Sequence, residues 1–225
     1  MGKEGTARWI SHLDLVRAVE RALRRARVPL ALSQGYNPLP KLSFASALSL
    51  GNSSEAEYFD VELTQRMDPA AFHATLSAQM PDGLAIRETR EVPPNGPALA
   101  ARLNLASYRV TVCVPDEAAR DALKAAAGRI LASPSLVIPR RRKGKTRFLD
   151  VRPLIQRLEV AGDGDTVEMV VDLRLDPRGT VKPEEVAGLL AGLASLELPS
   201  EAVRVHRTGL YRQDGERLRL PWELY

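Results

Sequence analysis

Few residues in this chain are of the kinds that do acid–base or metal chemistry. Three histidines (His12, His73, His206) and one cysteine (Cys113) make up the whole imidazole and thiol inventory. None stands in HExxH or another metal-ligand spacing. One cysteine excludes an internal disulfide framework, a thiolate metal cage and the cysteine triplet of an iron–sulfur cluster. His12 lies beside Ser11 and Asp14, where an imidazole could serve as general base on a ribose hydroxyl if an RNA were held over it. The same place equally suits a residue that caps a helix or packs under a loop. His73 falls inside a helical pattern and reads as a surface residue, and His206 sits in VRVHRTG on the last expected strand. The chain has no GxxxxGK[ST], GxGxxG or GxSxG, so a nucleotide cradle and a hydrolase elbow have no support. Glu55, Glu57, Asp60 and Glu62 read as an exposed acidic strand face; their pKa values would rise only if they were buried together. No metal, cofactor or catalytic set is expected, and His12 is the sole catalytic candidate.

The basic residues say more. Between Arg8 and Lys41 there are seven of them (Arg8, Arg17, Arg21, Arg24, Arg25, Arg27, Lys41) against Asp14 and Glu20. Between Arg140 and Arg157 there are eight against Asp150 alone, six of them in PRRRKGKTRF: Arg140, Arg141, Arg142, Lys143, Lys145 and Arg147. The chain's formal net charge is only +4, so the rest of it must be acidic. Charge polarised in this way suits an anionic partner, RNA above all. The bland alternative is a set of solvated helix faces and a loop.

Elements that could position these residues follow from periodicity. Residues 6–12 suit a short strand. Ser11 and Asp14 then match a capping box, so a helix should begin near Leu13, with Leu15, Val16, Val19, Ala22, Leu23 and Ala26 on one face and the arginines on the other. Pro29 ends it. After SQGYNPLPKLSFA, the runs LSFASALSL and EAEYFDVEL read as strands, Asp68-Pro69 opens a helix to about Met80, and 83–90 can close a sheet. The second half repeats the order. A strand around Tyr108–Val114 precedes a helix from Pro115-Asp116 to about Leu131, then strands at 154–160 and 166–173 flank AGDGD. A helix from Lys182-Pro183 and a strand at 203–211 complete it. The predicted class is α+β, two tandem ferredoxin-like β-α-β-β-α-β subdomains with antiparallel sheets. Their expected bounds are 1–92 and 105–225, joined by a linker over 93–104, with a basic insertion at about 135–153 that reads as a mobile loop or hairpin tip. Phe148 is available there for stacking.

The stretch 33–45 is longer than a connector between helix and strand needs. Asn37-Pro38 and Leu39-Pro40 impose two extended kinks, and Gly35 permits a backbone angle that other residues resist. A stiff recognition loop is expected, with Gln34, Tyr36, Asn37, Lys41 and Phe44 as candidate contacts. The composition is that of an ordinary globular protein. No apolar run nears the roughly 20 residues that span a bilayer, and MGKEGTARWISHLDL lacks an apolar signal-peptide core. A cytoplasmic location without membrane contact is the expectation; the oligomeric state is left open.

Taken together, KEGTARWISHLDL, SQGYNPLPKLSFA and SEAEYFDVEL resemble the opening of the uncharacterised domain family associated with radical SAM proteins (DUF2344). Trp9 stands where phenylalanine is more usual, and Leu39 where histidine is more usual, which argues against an essential histidine in that loop. The resemblance continues more loosely through RRRKGKTRFLDVRPLI and VRVHRTGLY. It implies a partner, a radical SAM enzyme, and a leaning toward RNA or ribosome biology, because such genes tend to neighbour those for ribonuclease G and ribosomal proteins. The resulting expectation is a non-catalytic accessory module that binds RNA, or presents an RNA or ribosomal substrate to that partner. Its RNA or partner contacts would be Arg8, His12, Arg17, Arg21, Arg24, Arg25, the loop residues above and the PRRRKGKTRF cations. Two alternatives stand beside it: an endoribonuclease of tandem ferredoxin-like type using His12 with Lys41, and a purely protein-docking domain.

Overall fold

The computed structural model describes residues 1–93, 96–142, 144–163, 165–177 and 179–225. It is mixed α+β with mostly antiparallel pairing. The chain divides into two compact units, one formed by Met1–Leu103 with Leu210–Tyr225 and the other by Asn104–Gly209. The stretch Leu210–Tyr225 thus belongs to the first unit, whereas the sequence assigned everything after residue 105 to the second.

In unit 1 the elements are β1 (Gly2–Lys3), a 3₁₀ turn (Gly5–Trp9), α1 (His12–Arg25), β2 (Leu42–Phe44), β3 (Ser53–Ser54), β4 (Phe59–Val61), α2 (Pro69–Ser77), β5 (Leu84–Ala85) and α3 (Leu99–Arg102). Helix α1 starts where its cap dictates: the Ser11 hydroxyl accepts from the Asp14 N–H at 3.2 Å and donates to the Asp14 carboxylate at 2.7 Å. It buries Leu15, Ala18, Val19, Ala22 and Leu23 against Phe72, Leu76 and Leu84. At its end Arg27 turns left-handed (φ 52°) and the Val28 N–H reaches back to the Leu23 carbonyl at 3.3 Å, a terminator usually given to glycine.

The strand expected at 6–12 is instead the 3₁₀ turn. Gly5 is left-handed (φ 57°), which ends β1. The ammonium of Lys3, almost fully buried, donates to the carbonyls of Arg8 and Ile10, 3.2 Å each, and holds the curl in place. The strand expected at 83–90 is reduced to β5 for a related reason. Its partner β1 offers two residues only, Gly2 opposite Ala85 and Lys3 opposite Leu84. β2 and β4 pair over three residues, Leu42–Val61 to Phe44–Phe59, so the long strands predicted there are also short. Within the expected linker, α3 buries Leu99 and packs on β2.

Unit 2 contains β6 (Leu105–Cys113), α4 (Glu117–Ala132), β7 (Val137–Arg142), β8 (Lys145–Asp150), β9 (Ile155–Ala161), β10 (Thr166–Arg174), α5 (Pro183–Leu193) and the first part of β11 (Val203–Asp214). Strand order is β11-β6-β10-β9, antiparallel from β6 through β10 to β9. Asp116 caps α4 by accepting from the Ala119 N–H at 2.7 Å, and α4 packs on α5 and β9 over Leu123, Ala126, Ile130, Leu158 and Leu190. Of the two expectations for the basic insertion, a mobile loop or a hairpin tip, the hairpin is what forms. β7 and β8 form a separate two-stranded ribbon whose turn uses Gly144 at φ 74°.

Back in unit 1, the last residues of β11 turn at Gly215 and pair with β12 (Arg217–Arg219), and a 3₁₀ turn over Pro221–Leu224 follows.

Candidate nucleic-acid interface

Helix α1 displays a cationic stripe. Arg17, Arg21 and Arg24 recur at four and three residues on its solvent face, all exposed, so the outer pair stand about 10 Å apart along the axis. Arg17 makes a long i,i+3 contact with Asp14 at 3.4 Å, both groups well exposed. Among the described residues, Arg21 and Arg24 have no acidic partner. Arg25 is committed elsewhere: its guanidinium donates to the Gln79 side chain at 3.3 Å and to the Gln79 carbonyl. Arg24 and Arg25 also complement the negative end of the α1 dipole.

The SQGYNPLPKLSFA loop is tied at its base. Ser33 N–H donates to the Leu39 carbonyl at 2.8 Å, the Leu39 N–H returns to the Ser33 hydroxyl at 3.0 Å, and Leu32 bridges Pro40. Gln34, Gly35, Tyr36, Asn37 and Pro38 project beyond this neck. Gly35 has φ 143°, and Tyr36 is 100% exposed. The other two loop candidates face different surroundings. Lys41 pairs with Glu62 at 2.9 Å. Phe44 is half-buried and packs against His12, at 5.5 Å and near-perpendicular, and Phe59 at 5.3 Å, so its ring already has aromatic partners within the protein.

That packing also defines His12. It is the first residue of α1, half-buried, and its Nδ1 is buried without a hydrogen-bond partner among the described residues. The neighbouring Ser11 and Asp14 are bonded to each other. Arg8 lies over the Trp9 ring at 4.6 Å, with its Nε buried and unpartnered among the described residues. This is an aromatic, packed setting for an imidazole, and among the described residues no base–orienter pair stands around it. His73 is half-buried and bonded to Thr89 at 3.3 Å, rather than standing on the surface. Among the described residues no three His, Cys, Asp or Glu side chains cluster to hold a metal ion.

In unit 2 the ribbon separates its cations by role. Arg140 forms a bidentate pair with Glu185 and also donates to the Thr180 carbonyl at 2.7 Å. It therefore anchors the ribbon to α5 and is not free for phosphate. Burial pushes the Glu185 carboxyl up, but the Arg140 guanidinium and the Lys182 N–H outweigh it, leaving the group below its usual range. At the base of β8, Asp150 accepts from the N–H groups of Leu136 at 2.8 Å and Arg152 at 3.0 Å, which lower its pKa. Toward the tip Arg141, Lys145 and Arg147 are exposed and have no acidic partner among the described residues. Lys143 lies outside the described residues; Arg142 closes β7 opposite Lys145.

Sequence reasoning missed a cleft of about 950 Å³ in unit 1, whose walls include Phe59, Leu63, Met67, Phe72, Ile86 and Trp222. Chain-end residues shape it. Trp222 stacks under Arg90 at 4.6 Å and lies 6.2 Å from Tyr58, while Tyr225 takes Arg102 on its ring and donates to both oxygens of Asp60 at 3.1 Å. Burial, with the Asp60 charge behind it, pushes the Tyr225 phenol up to about 12. The aromatics in PWELY were the available signal. The cleft lining also holds two internal ion pairs, Lys41 with Glu62 and Arg66 with Glu91, both 2.9 Å.

Over residues 1–183 the chain matches a bacterial family described as an uncharacterized protein conserved in bacteria (DUF2344), and it belongs to that family. No curated protein matches it. Among solved structures, one chain in "Crystal Structure of a Cbf5-Nop10-Gar1 Complex" is similar at 12% identity and a TM-score of 0.49, over 95% of this chain and 49% of that one. This chain thus spans about half the length of that neighbour, and a likeness of that degree carries no argument here. No helix among the described residues is long and apolar enough to cross a membrane.

Proposed function

We propose that this protein is a non-catalytic, cytoplasmic accessory module that binds RNA and presents it, or a ribosomal substrate, to a radical SAM partner. One observation carries the RNA reading. The β7–β8 ribbon is anchored by Arg140 and Glu185, while Arg141, Lys145 and Arg147 stand exposed without acidic partners among the described residues. Cations held on a rigid element and left unneutralised favour a polyanion, because phosphate contacts then release counterions at little ordering cost. In unit 1 the exposed α1 stripe adds further cations, and the exposed Tyr36 a further aromatic ring. The architecture we favour keeps two tandem ferredoxin-like halves, supported in unit 2 by the order β11-β6-β10-β9 with α4 and α5 as its crossovers.

The test is affinity for a structured RNA as a function of salt. Replacing Arg141, Lys145 and Arg147 together by glutamine should lower the slope of log affinity against log salt by about 2–3. A flat slope in the unaltered protein would sink the reading. Protein docking through the 33–44 loop is a second reading, favoured by the full exposure of Tyr36 on a closed neck. Co-purification with a radical SAM protein that survives high salt and is lost in Tyr36→Ala would select it. The ribonuclease reading has less support, since His12 faces Phe44 and Lys41 is paired with Glu62.

A further inference from the structure

The β7–β8 ribbon has two chemically different faces. Side chains alternate along each strand, and the register pairs Ile138 with Leu149, Pro139 with Phe148, Arg140 with Arg147 and Arg141 with Thr146. One face therefore holds Ile138, Leu149, Arg140 and Arg147; Leu149 and Arg140 turn toward the rest of unit 2, while Arg147 is exposed. Arg140 takes Glu185 there, and Leu149 lies so close to Gly179 that a Cβ at that glycine would stand 2.9 Å from the leucine Cδ1. The opposite face holds Val137 with Asp150, Pro139 with Phe148 and Arg141 with Thr146, and all of these but the half-buried Asp150 are exposed. Phe148 is 75% exposed and Val137 55%.

We propose that this outer face is a stacking platform for an unpaired nucleobase. Phe148 offers the ring, Pro139 supports it from directly across the ribbon, and Arg141, diagonal to it and about 7 Å away at Cβ, meets the adjoining phosphate. Charge decides the occupant. The ribbon has no acidic residue from Val137 to Leu149, and Asp150 is occupied by backbone N–H groups. An aromatic ring beside the exposed Arg141, with the one carboxylate of that face already satisfied by backbone N–H groups, suits a base with its phosphate, since every base presents a π-face. This inference rests on the RNA reading and narrows its substrate class. A base stacked on Phe148 must have left its own helix, so the ligand is single-stranded or looped RNA and not continuous duplex.

The experiment measures binding of the full chain to an unstructured oligoribonucleotide of about 12 nucleotides and to a duplex of equal length, each at several salt concentrations. Single strand should bind more tightly than duplex. Phe148→Ala should weaken single-strand binding about 5- to 150-fold with no change in salt slope or duplex affinity, and Phe148→Trp should restore it. The side chain is exposed, so the fold is retained, and circular dichroism checks this. If Phe148→Ala binds single strand as tightly as the unaltered chain while the salt slope stays steep, the platform is overturned and the RNA reading stands. Failure of the unaltered chain to bind either RNA overturns both.

Discussion

Lys3 shows how a charge in this protein can be structural. A lysine near a chain end would ordinarily be taken for a solvated cation. Here its ammonium is buried and satisfies two carbonyls of the turn that leads into α1. Replacing it with methionine keeps the apolar stem but strips the Ile10 carbonyl of this donor and leaves the Arg8 carbonyl with the Gly51 N–H at 2.9 Å, at about 1–3 kcal/mol for a buried carbonyl so stranded. Lys3→Met should therefore lower the denaturant midpoint clearly, with hydrogen exchange rising first in residues 5–12. A near-neutral result would mean that water replaces the ammonium at both carbonyls. His12 follows the same logic, since its ring packs against Phe44 at 5.5 Å between centroids.

At the scale of the element, the β7–β8 ribbon depends on one ion pair for its attachment to α5. The Glu185 carboxyl has a folded-state pKa depressed below its ordinary 4.5. A depressed carboxyl stabilises the fold fully above that ordinary value, and the contribution is lost as pH falls through the folded-state value. Acid unfolding of the unaltered chain should thus steepen below about pH 4.5. Glu185→Gln, which can still accept from the Lys182 N–H, should flatten that dependence and lower stability near neutrality by about 1–2 kcal/mol. An unchanged acid limb would show that the pair contributes nothing net. The same element explains why charge counting overstated the free positive charge: Arg140, one of six basic residues in the segment, is used up in holding it.

On the scale of the whole molecule, the two units are not consecutive halves of the chain. Residues 210–225 return to unit 1, where Trp222 and Tyr225 meet Arg90, Tyr58, Arg102 and Asp60. Truncation after Asp214 should raise hydrogen exchange in β4 and in residues 84–93, with β6 and β10 of unit 2 unaffected. Uniform loss of protection in both units would contradict this division.

Local chemistry was legible in the sequence wherever one element decides it alone. Ser11 with Asp14, Asp68 with Pro69 and Asp116 each announce a helix start, because capping involves residues only three apart. The alternation over 108–114 and the run 166–173 after AGDGD likewise announce two strands, which pair with each other as β6 and β10. What tertiary structure decided is everything that needs a distant partner. A strand is only as long as its neighbour, so β5 shrank to fit β1. A lysine is buried only if carbonyls converge on it, as they do on Lys3. Whether an arginine is free depends on a carboxylate 45 residues away, as with Arg140 and Glu185. The sequence by itself therefore determined the class, the helix caps and the concentration of positive charge. Only the folded chain could say which of those charges, and which aromatic ring, still face water, since that depends on contacts between residues far apart in order.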